Sequence, residues 1–310
     1  MRKFLYCEGK GFVEKNAWQP DSWIYVESPT TDDIEYLISQ FHVPDSFISD
    51  ISDNDERPRI EYEGDWLLTI LRIPMQSKEH KKPYTTVPIG IITNGDVLLT
   101  ICYFKTELLP DFIRYTQRKE LFIRNKFDFI LRLIHSSAIW YLKYLKQINI
   151  DINDAENELE RSIRNEDLIR MMKLQKSLVL FNTSLRGNEM MLSKLQSIFQ
   201  DPDYAIDKEL LEDVETELKQ AHTTVNIYSD ILTGTMDAFA SIISNNVNTI
   251  MKRMTSLSIV LMVPTLIASF YGMNVVTGLE STPLAFIHIV LLSVIISASA
   301  LIIFRKIKWF

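Results

Sequence analysis

Two apolar runs near the C-terminus constrain this chain more than any other feature. From Leu257 to Tyr271 there is no charged residue. A helix of that length reaches about 22 Å, short of a hydrocarbon core of about 30 Å, and extension back through Thr255 and Met254 nearly completes the span. The second run, Leu284 to Phe304, has His288 as its only ionisable group in 21 residues and crosses a bilayer outright. The connection from Gly272 to Pro283 holds one acid, Glu280, and no Lys or Arg. Lys252 and Arg253 flank the first run, while Arg305, Lys306 and Lys308 follow the second. Basic residues outside both spans and none between them put both termini in the cytoplasm of an inner or plasma membrane. The expectation is a multi-pass protein with a lipid-embedded hairpin over 251–310: a first helix at about 254–271, a loop at 272–283 and a second helix at about 284–304.

The remaining 250 residues form the body. A net charge of −7 argues against nucleic acid as a partner, since no basic surplus exists to neutralise phosphates. Two cysteines, Cys7 and Cys102, make neither a disulfide framework nor a Cys-rich metal site. Met1 to Trp18 has no apolar run of signal-peptide length, so the body is expected in the reducing cytosol. His42, His80, His135 and His222 show no metal-ligand spacing. No Ser/His/Asp or Cys/His constellation and no G-x-x-x-x-G-K-[ST] phosphate loop is present. The expectation is a protein that is not an enzyme and uses no organic cofactor.

Trp23 to about Thr106 mixes strand and helix patterns. Trp23–Val26 reads as a strand, and Ser28 to Asp33 opens a helix that continues through Ile34, Leu37, Ile38 and Phe41. Arg59–Tyr62, Trp66–Ile73 and Val87–Thr93 are β-rich, and Asn94-Gly95 is a hairpin turn into Val97–Tyr103. These predict a cytoplasmic α/β domain over 1–125 with an antiparallel-leaning sheet. After Pro110 the character changes: Asp111 to Val263 contains only Pro202, Gly187 and Gly234 as breakers. Long helices follow, at roughly Lys126–Glu160 and Asn165–Phe199, with a third from Tyr204 into the membrane. Residues 126–250 are thus a helical stalk. A rod about 100 Å long cannot bury its own apolar stripe and is expected to pair or oligomerise. The acids of Asp151 to Glu160 are read as a solvated helix tip, with a funnel that concentrates cations as the alternative.

Along the third helix, Asp237, Ser241, Ser244, Asn248, Met251, Thr255, Ser258, Met262, Thr265 and Ser269 recur at alternating spacings of four and three. At about 100° per residue they share one face, and every member is polar or Met. Met254 lies at its edge. An uncharged polar stripe through a bilayer needs either another helix against which small side chains pack, or a wet neighbour. Spacing alone leaves both open.

Tyr271-Gly272-Met273-Asn274, at the outer end of the first span, resembles the signature of the CorA family of magnesium channels. Asn248-x-x-Met251-Lys252, the Met262…Pro264-Thr265 segment and the terminal Lys308-Trp309-Phe310 are similar to family features in the same order, and Arg57-Pro58-Arg59 is a less specific match. The loop departs from the family at Val275 and Leu279. The resemblance implies a homopentamer that conducts Mg²⁺, with Co²⁺, Ni²⁺ or Zn²⁺ transport on the same fold as an alternative. A membrane-anchored coiled-coil interaction protein that conducts nothing is the rival from another class. The resemblance implies Gly272, Met273 and Asn274 as the selectivity filter, with Asn274 meeting hydrated Mg²⁺. Carried over by spacing, the family's pore positions fall on Thr265, Met262, Met254, Met251 and Asp237; Ser258 and Asn248 join them on the stripe. Asp237 is implied in a regulatory Mg²⁺ site whose partner acid is not assigned, with Asp96 as a guess.

Overall fold

The computed structural model describes residues 2–7, 9, 11–77, 83–162, 164–198, 207–274, 278, 283–307 and 309. They form two compact units, Met1–Thr235 and Met236–Phe310.

The first unit is built on a seven-stranded sheet ordered β2-β1-β3-β7-β6-β5-β4. The strands are β1 (Arg2–Cys7), β2 (Phe12–Lys15), β3 (Trp23–Glu27), β4 (Arg59–Glu63), β5 (Trp66–Gln76), β6 (Tyr84–Asn94) and β7 (Val97–Cys102). All neighbours are antiparallel except β3 and β7, which run parallel with Ile24 opposite Leu99. The sequence pattern finds β3 to β7 and misses the β1–β2 hairpin, whose polar edge strand β2 carries little periodicity. Asn94 pairs with Val97, so the turn is Gly95-Asp96, with Gly95 at a φ of 44°. Asn94 itself ends the strand.

Alternation along β3 divides the core. Ile24 and Val26 face α1 (Thr31–Phe41) and α2 (Asp45–Ser52), where Leu37, Phe47 and Ile51 close over Leu68, Ile70, Ile92 and Leu99. Trp23 faces the other way, stacking edge-on against Phe12 at 5.0 Å and Phe129 at 4.9 Å. That side is covered by α3 (Leu108–Arg118) and α4 (Lys126–Arg161). Thr30 and Asp33 cap α1 reciprocally, side chain to backbone, satisfying two donors that a helix start leaves open. Asn125 caps α4 through the Asp128 N–H at 2.8 Å.

Two of the long helices match their predicted extents: α4, and α5 at Asn165–Ile198. The third, α6, spans Lys208–Tyr271 as one 64-residue helix; the predicted start at Tyr204 lies outside the described residues. The buried residues of α5 include Met171, Leu174, Leu178, Phe181, Leu185, Asn188, Leu192 and Leu195, a strict heptad alternation of three and four. Gly187 allows close approach, because a Cβ there would meet the Pro58 ring at 2.9 Å. The second unit contains the rest of α6 and α7 (Ala285–Lys306). Both α6 and α7 include stretches long and apolar enough to cross a membrane. After α7 the chain folds back, Trp309 donating its N–H to the Phe304 carbonyl at 2.9 Å and stacking on that ring.

Candidate functional site

The site is built on the membrane part of α6, within the second unit. Its side chains divide sharply by exposure. Ser256 is 0% exposed, and Val260, Val263, Pro264 and Ile267 are partly covered. On α7 the partly covered positions are Ala285, Ile289, Ser293, Ser297, Ala300 and Phe304. Both rows follow helical spacing and mark the seam of the hairpin, lined by small and β-branched residues that let two backbones approach. Pro264 sits on this seam. It has no N–H for the Val260 carbonyl, yet α6 stays continuous through it.

The polar and Met stripe lies elsewhere. Asp237, Ser241, Ser244, Asn248, Met251, Thr255, Ser258, Met262, Thr265 and Ser269 are all exposed, Met262 at 64%, and so is Met254. At about 100° per residue, the stripe from Met251 to Ser269 centres roughly 160° around the helix from the seam. Its hydroxyls therefore do not pack against α7. Three of them have their protons committed: Ser241 donates to the Asp237 carbonyl at 3.0 Å, Ser258 to Met254 at 2.9 Å and Thr265 to Leu261 at 3.1 Å. With the proton turned back to the helix, each of these three hydroxyls presents oxygen lone pairs outward. A row of acceptors suits the protons of a hydrated cation.

Beyond Tyr271 the chain leaves the helix. Gly272 donates to the Ala268 carbonyl at 2.9 Å and Met273 to Phe270 at 3.4 Å. Gly272 does not take a positive φ; a Cβ there would instead press to 3.2 Å from the Ala268 oxygen. Met273 and Asn274 are exposed. Glu280, Lys308 and Phe310 lie outside the described residues. His288 donates from Nδ1 to the Leu284 carbonyl at 2.8 Å, since a carbonyl only accepts. Asp96 lies in the β6–β7 turn, where its charge and that of Asp21 oppose the effect of burial on Lys126, whose pKa is lowered. Among the described residues, no three His, Cys, Asp or Glu side chains converge on a point able to hold a metal ion.

Spacing could not distinguish the α7-facing row from the stripe in role, because both repeat helically. The signal available was the run Ser293, Ser297 and Ala300 on α7, which marks a close-packing face.

This arrangement, an α/β domain, long helices and an apolar hairpin with a bare polar face, has known counterparts. The cobalt/magnesium transport protein CorA of Methanocaldococcus jannaschii is 25% identical over 291 residues, 93% of this chain and 90% of that protein. The protein of the same name from Thermotoga maritima is 25% identical over 259 residues, 82% of this chain and 73% of its own length. The complete structure of the CorA magnesium transporter from M. jannaschii shares the fold at a TM-score of 0.86 and 23% identity, covering 100% of this chain and 99% of that one. A family model described as CorA-like Mg²⁺ transporter protein matches residues 20–306, nearly the whole chain and both apolar helices. The chain belongs to that family.

Proposed function

We infer that this chain is the subunit of a divalent-cation channel that takes up Mg²⁺ down its electrochemical gradient. The observation that carries the reading is the division of α6, with one face against the seam and the opposite polar face bare. Two helices per chain cannot enclose a pore, so several copies must do so. The face suited to a water-filled centre is the one lined by hydroxyls, Asn and Met. A homopentamer follows the family resemblance. In this reading 1–125 is a cytoplasmic domain, 126–250 a stalk and 251–310 the membrane hairpin, with both termini in the cytoplasm.

Mg²⁺ gives up its waters reluctantly and prefers near-octahedral oxygen ligands. A ring of Asn274 carbonyls accepts hydrogen bonds from that water shell without stripping it. The Thr265 and Ser258 oxygens continue the acceptor path. Met262, Met254 and Met251 offer no deep trap, so an ion that enters can leave, and the two lower Met rings narrow a path that closes by dewetting. A divalent ion gains about 4.6 kcal/mol per 100 mV of inside-negative potential, twice the single-charge value, so uptake needs no nucleotide. Asp237 supplies one carboxylate on the same face, and a regulatory Mg²⁺ there requires a ligand from a neighbouring copy. Ion binding between copies then offsets carboxylate repulsion and favours a closed ring.

Flux into liposomes loaded with a cation-sensitive dye, with Mg²⁺, Co²⁺, Ni²⁺ and Zn²⁺ supplied separately, tests the reading. Potential-driven Mg²⁺ entry is expected. Zn²⁺ entry without Mg²⁺ entry would reassign the cargo, and no flux of any of the four would leave an anchored interaction protein.

A further inference from the structure

In the first unit, α5 and α6 run antiparallel and are joined by a ladder of polar pairs. Gln196 donates to Glu215, Glu189 meets His222, Asn182 meets Asn226, and Gln175 donates to Thr233. On α5 these residues, 175, 182, 189 and 196, recur every seven positions. The middle of the ladder differs from its ends. The imidazole of His222 reaches two residues of α5 at once: Nδ1 lies 2.8 Å from Glu189 Oε2 and Nε2 lies 3.1 Å from Asn182 Oδ1. Asn182 in turn donates from Nδ2 to Asn226 Oδ1 at 2.5 Å.

With the amides in this orientation both ring nitrogens face oxygen acceptors, the arrangement in which an imidazolium, with a proton on each nitrogen, makes both bonds. A neutral ring has one donor. Keeping it on Glu189 leaves Nε2 an acceptor, which then needs a donor from Asn182. Rotating the Asn182 carboxamide by half a turn supplies its NH₂ to Nε2 and turns its oxygen to Asn226, whose carboxamide must rotate as well. Every hydrogen bond survives, but the charge-assisted bond to Glu189 becomes an ordinary one. The charged groups around the ring are Glu189 from α5 and Glu215 and Lys219 from α6, which with Ser193 and Thr223 line a hollow of about 450 Å³ beside it. That hollow gives protons a route to the ring.

We propose that His222 is a proton-responsive rung between α5 and α6: one proton on its imidazole sets the orientation of the Asn182 and Asn226 carboxamides and the strength with which α6 is held to α5. Histidine is the side chain whose charge ordinarily changes across the cytoplasmic pH range, so the ladder reports acidification of the compartment that holds it. Because α6 is the same continuous helix that carries the polar stripe, the rung acts on the element that the transport reading uses, although it does not depend on that reading.

The test uses the full chain in detergent with ¹⁵N-labelled His and Asn, assigned by His222→Gln, Asn182→Ser and Asn226→Ser. As pH is raised in steps the His222 ring is expected to pass from two protonated nitrogens to one. The Asn182 and Asn226 side-chain signals should move with the same midpoint, and in His222→Gln they should not move. Amide signals that stay fixed while the ring titrates would overturn the relay. Backbone hydrogen exchange of residues 218–226, corrected for intrinsic rate, tests the hold on α6. Protection about twofold to fivefold greater at the acidic end is expected for a partly exposed charged pair. His222→Gln and Glu189→Gln should flatten that difference, and a flat profile in the native protein would overturn the proposal.

Discussion

The carboxamide of Asn188 pairs with the backbone of Arg72 as a neighbouring strand would, accepting from its N–H at 3.0 Å and donating to its carbonyl at 2.8 Å. The β4–β5 ladder ends at Ile70, opposite Arg59, so Arg72 lies beyond its strand partner on that side. On the other side it stands opposite Pro88, in a pair whose N–H and C=O groups point away from each other. Tyr141 adds its hydroxyl to the same carbonyl at 3.0 Å. The Arg72 guanidinium reaches the carbonyls of Asn54, Glu56 and Thr86, and burial lowers its pKa. One residue of β5 thus ties the sheet to α4, α5 and the 54–56 loop.

Asn188→Ala removes a fully buried side chain and orphans the Arg72 N–H. A loss of about 1–3 kcal/mol is expected, the desolvation cost of an unmet buried donor. Chemical denaturation of the purified protein, followed by helical circular dichroism, measures it. Stability equal to the native value would mean that water replaces the amide there.

Asn274→Ala should sharply reduce Mg²⁺ flux while the oligomer still forms. Gly272→Ala tests packing instead of backbone freedom, since its Cβ needs a shift of a few tenths of an ångström against the Ala268 carbonyl. A smaller loss is expected for it than for Asn274→Ala. Undiminished, Mg²⁺-selective flux in Asn274→Ala would remove Asn274 from the filter.

The two faces of α6 should separate under cysteine scanning in a background with Cys7 and Cys102 replaced by Ser. Cysteines at Ser258, Thr265 and Ser269 are expected to react with a small cationic thiol reagent and block flux. Val260→Cys and Ile267→Cys, on the seam, should resist it. Equal modification of both rows would refute a pore-facing stripe.

Asp237→Ala is expected to leave conduction intact and weaken the protection from protease given by millimolar Mg²⁺. A near-complete switch from 1:99 to 99:1 needs about 5.5 kcal/mol of differential binding, which several weak sites supply together. Coincident proteolysis curves for the variant and the native protein would place any sensor elsewhere.

His135 offers a pH test in the first unit. Burial lowers its pKa, against the pull of Glu217 and Asp213 and with help from Arg132. The unfolded chain therefore binds this proton more readily than the folded one, and stability rises with pH through the window just below the ordinary histidine value. Its contribution is present above that value and is lost as pH falls toward the lowered one. The native-minus-His135→Gln difference in denaturation free energy should shrink on acidification through that window. A difference independent of pH would mean that the ring is not buried neutral.

Much of this architecture could be read from residue order because it is periodic. The scarcity of Pro and Gly from Asp111 to Val263 announced long helices, and the β-rich composition of Trp66–Ile73 and Val87–Thr93 announced strands. The charge-free runs announced the hairpin, and the four-three spacing from Asp237 to Ser269 placed ten polar or Met side chains on one face. Period determines which residues share a face. What that face meets is decided only when another element arrives. The seam of Ser256, Val260 and Ile267 has the same helical period as the stripe, and the covered row on α7 is what separates them. Asn188 reads as one more position in a heptad until β4 ends short of Arg72 and leaves its N–H and C=O without a strand partner on that side. His222 reads as a lone histidine until antiparallel packing brings Glu189 and Asn182 to its two nitrogens, 33 and 40 residues away along the chain. Local periodicity is set by backbone geometry, whereas pairing between elements depends on where each one ends, and that is fixed by tertiary packing.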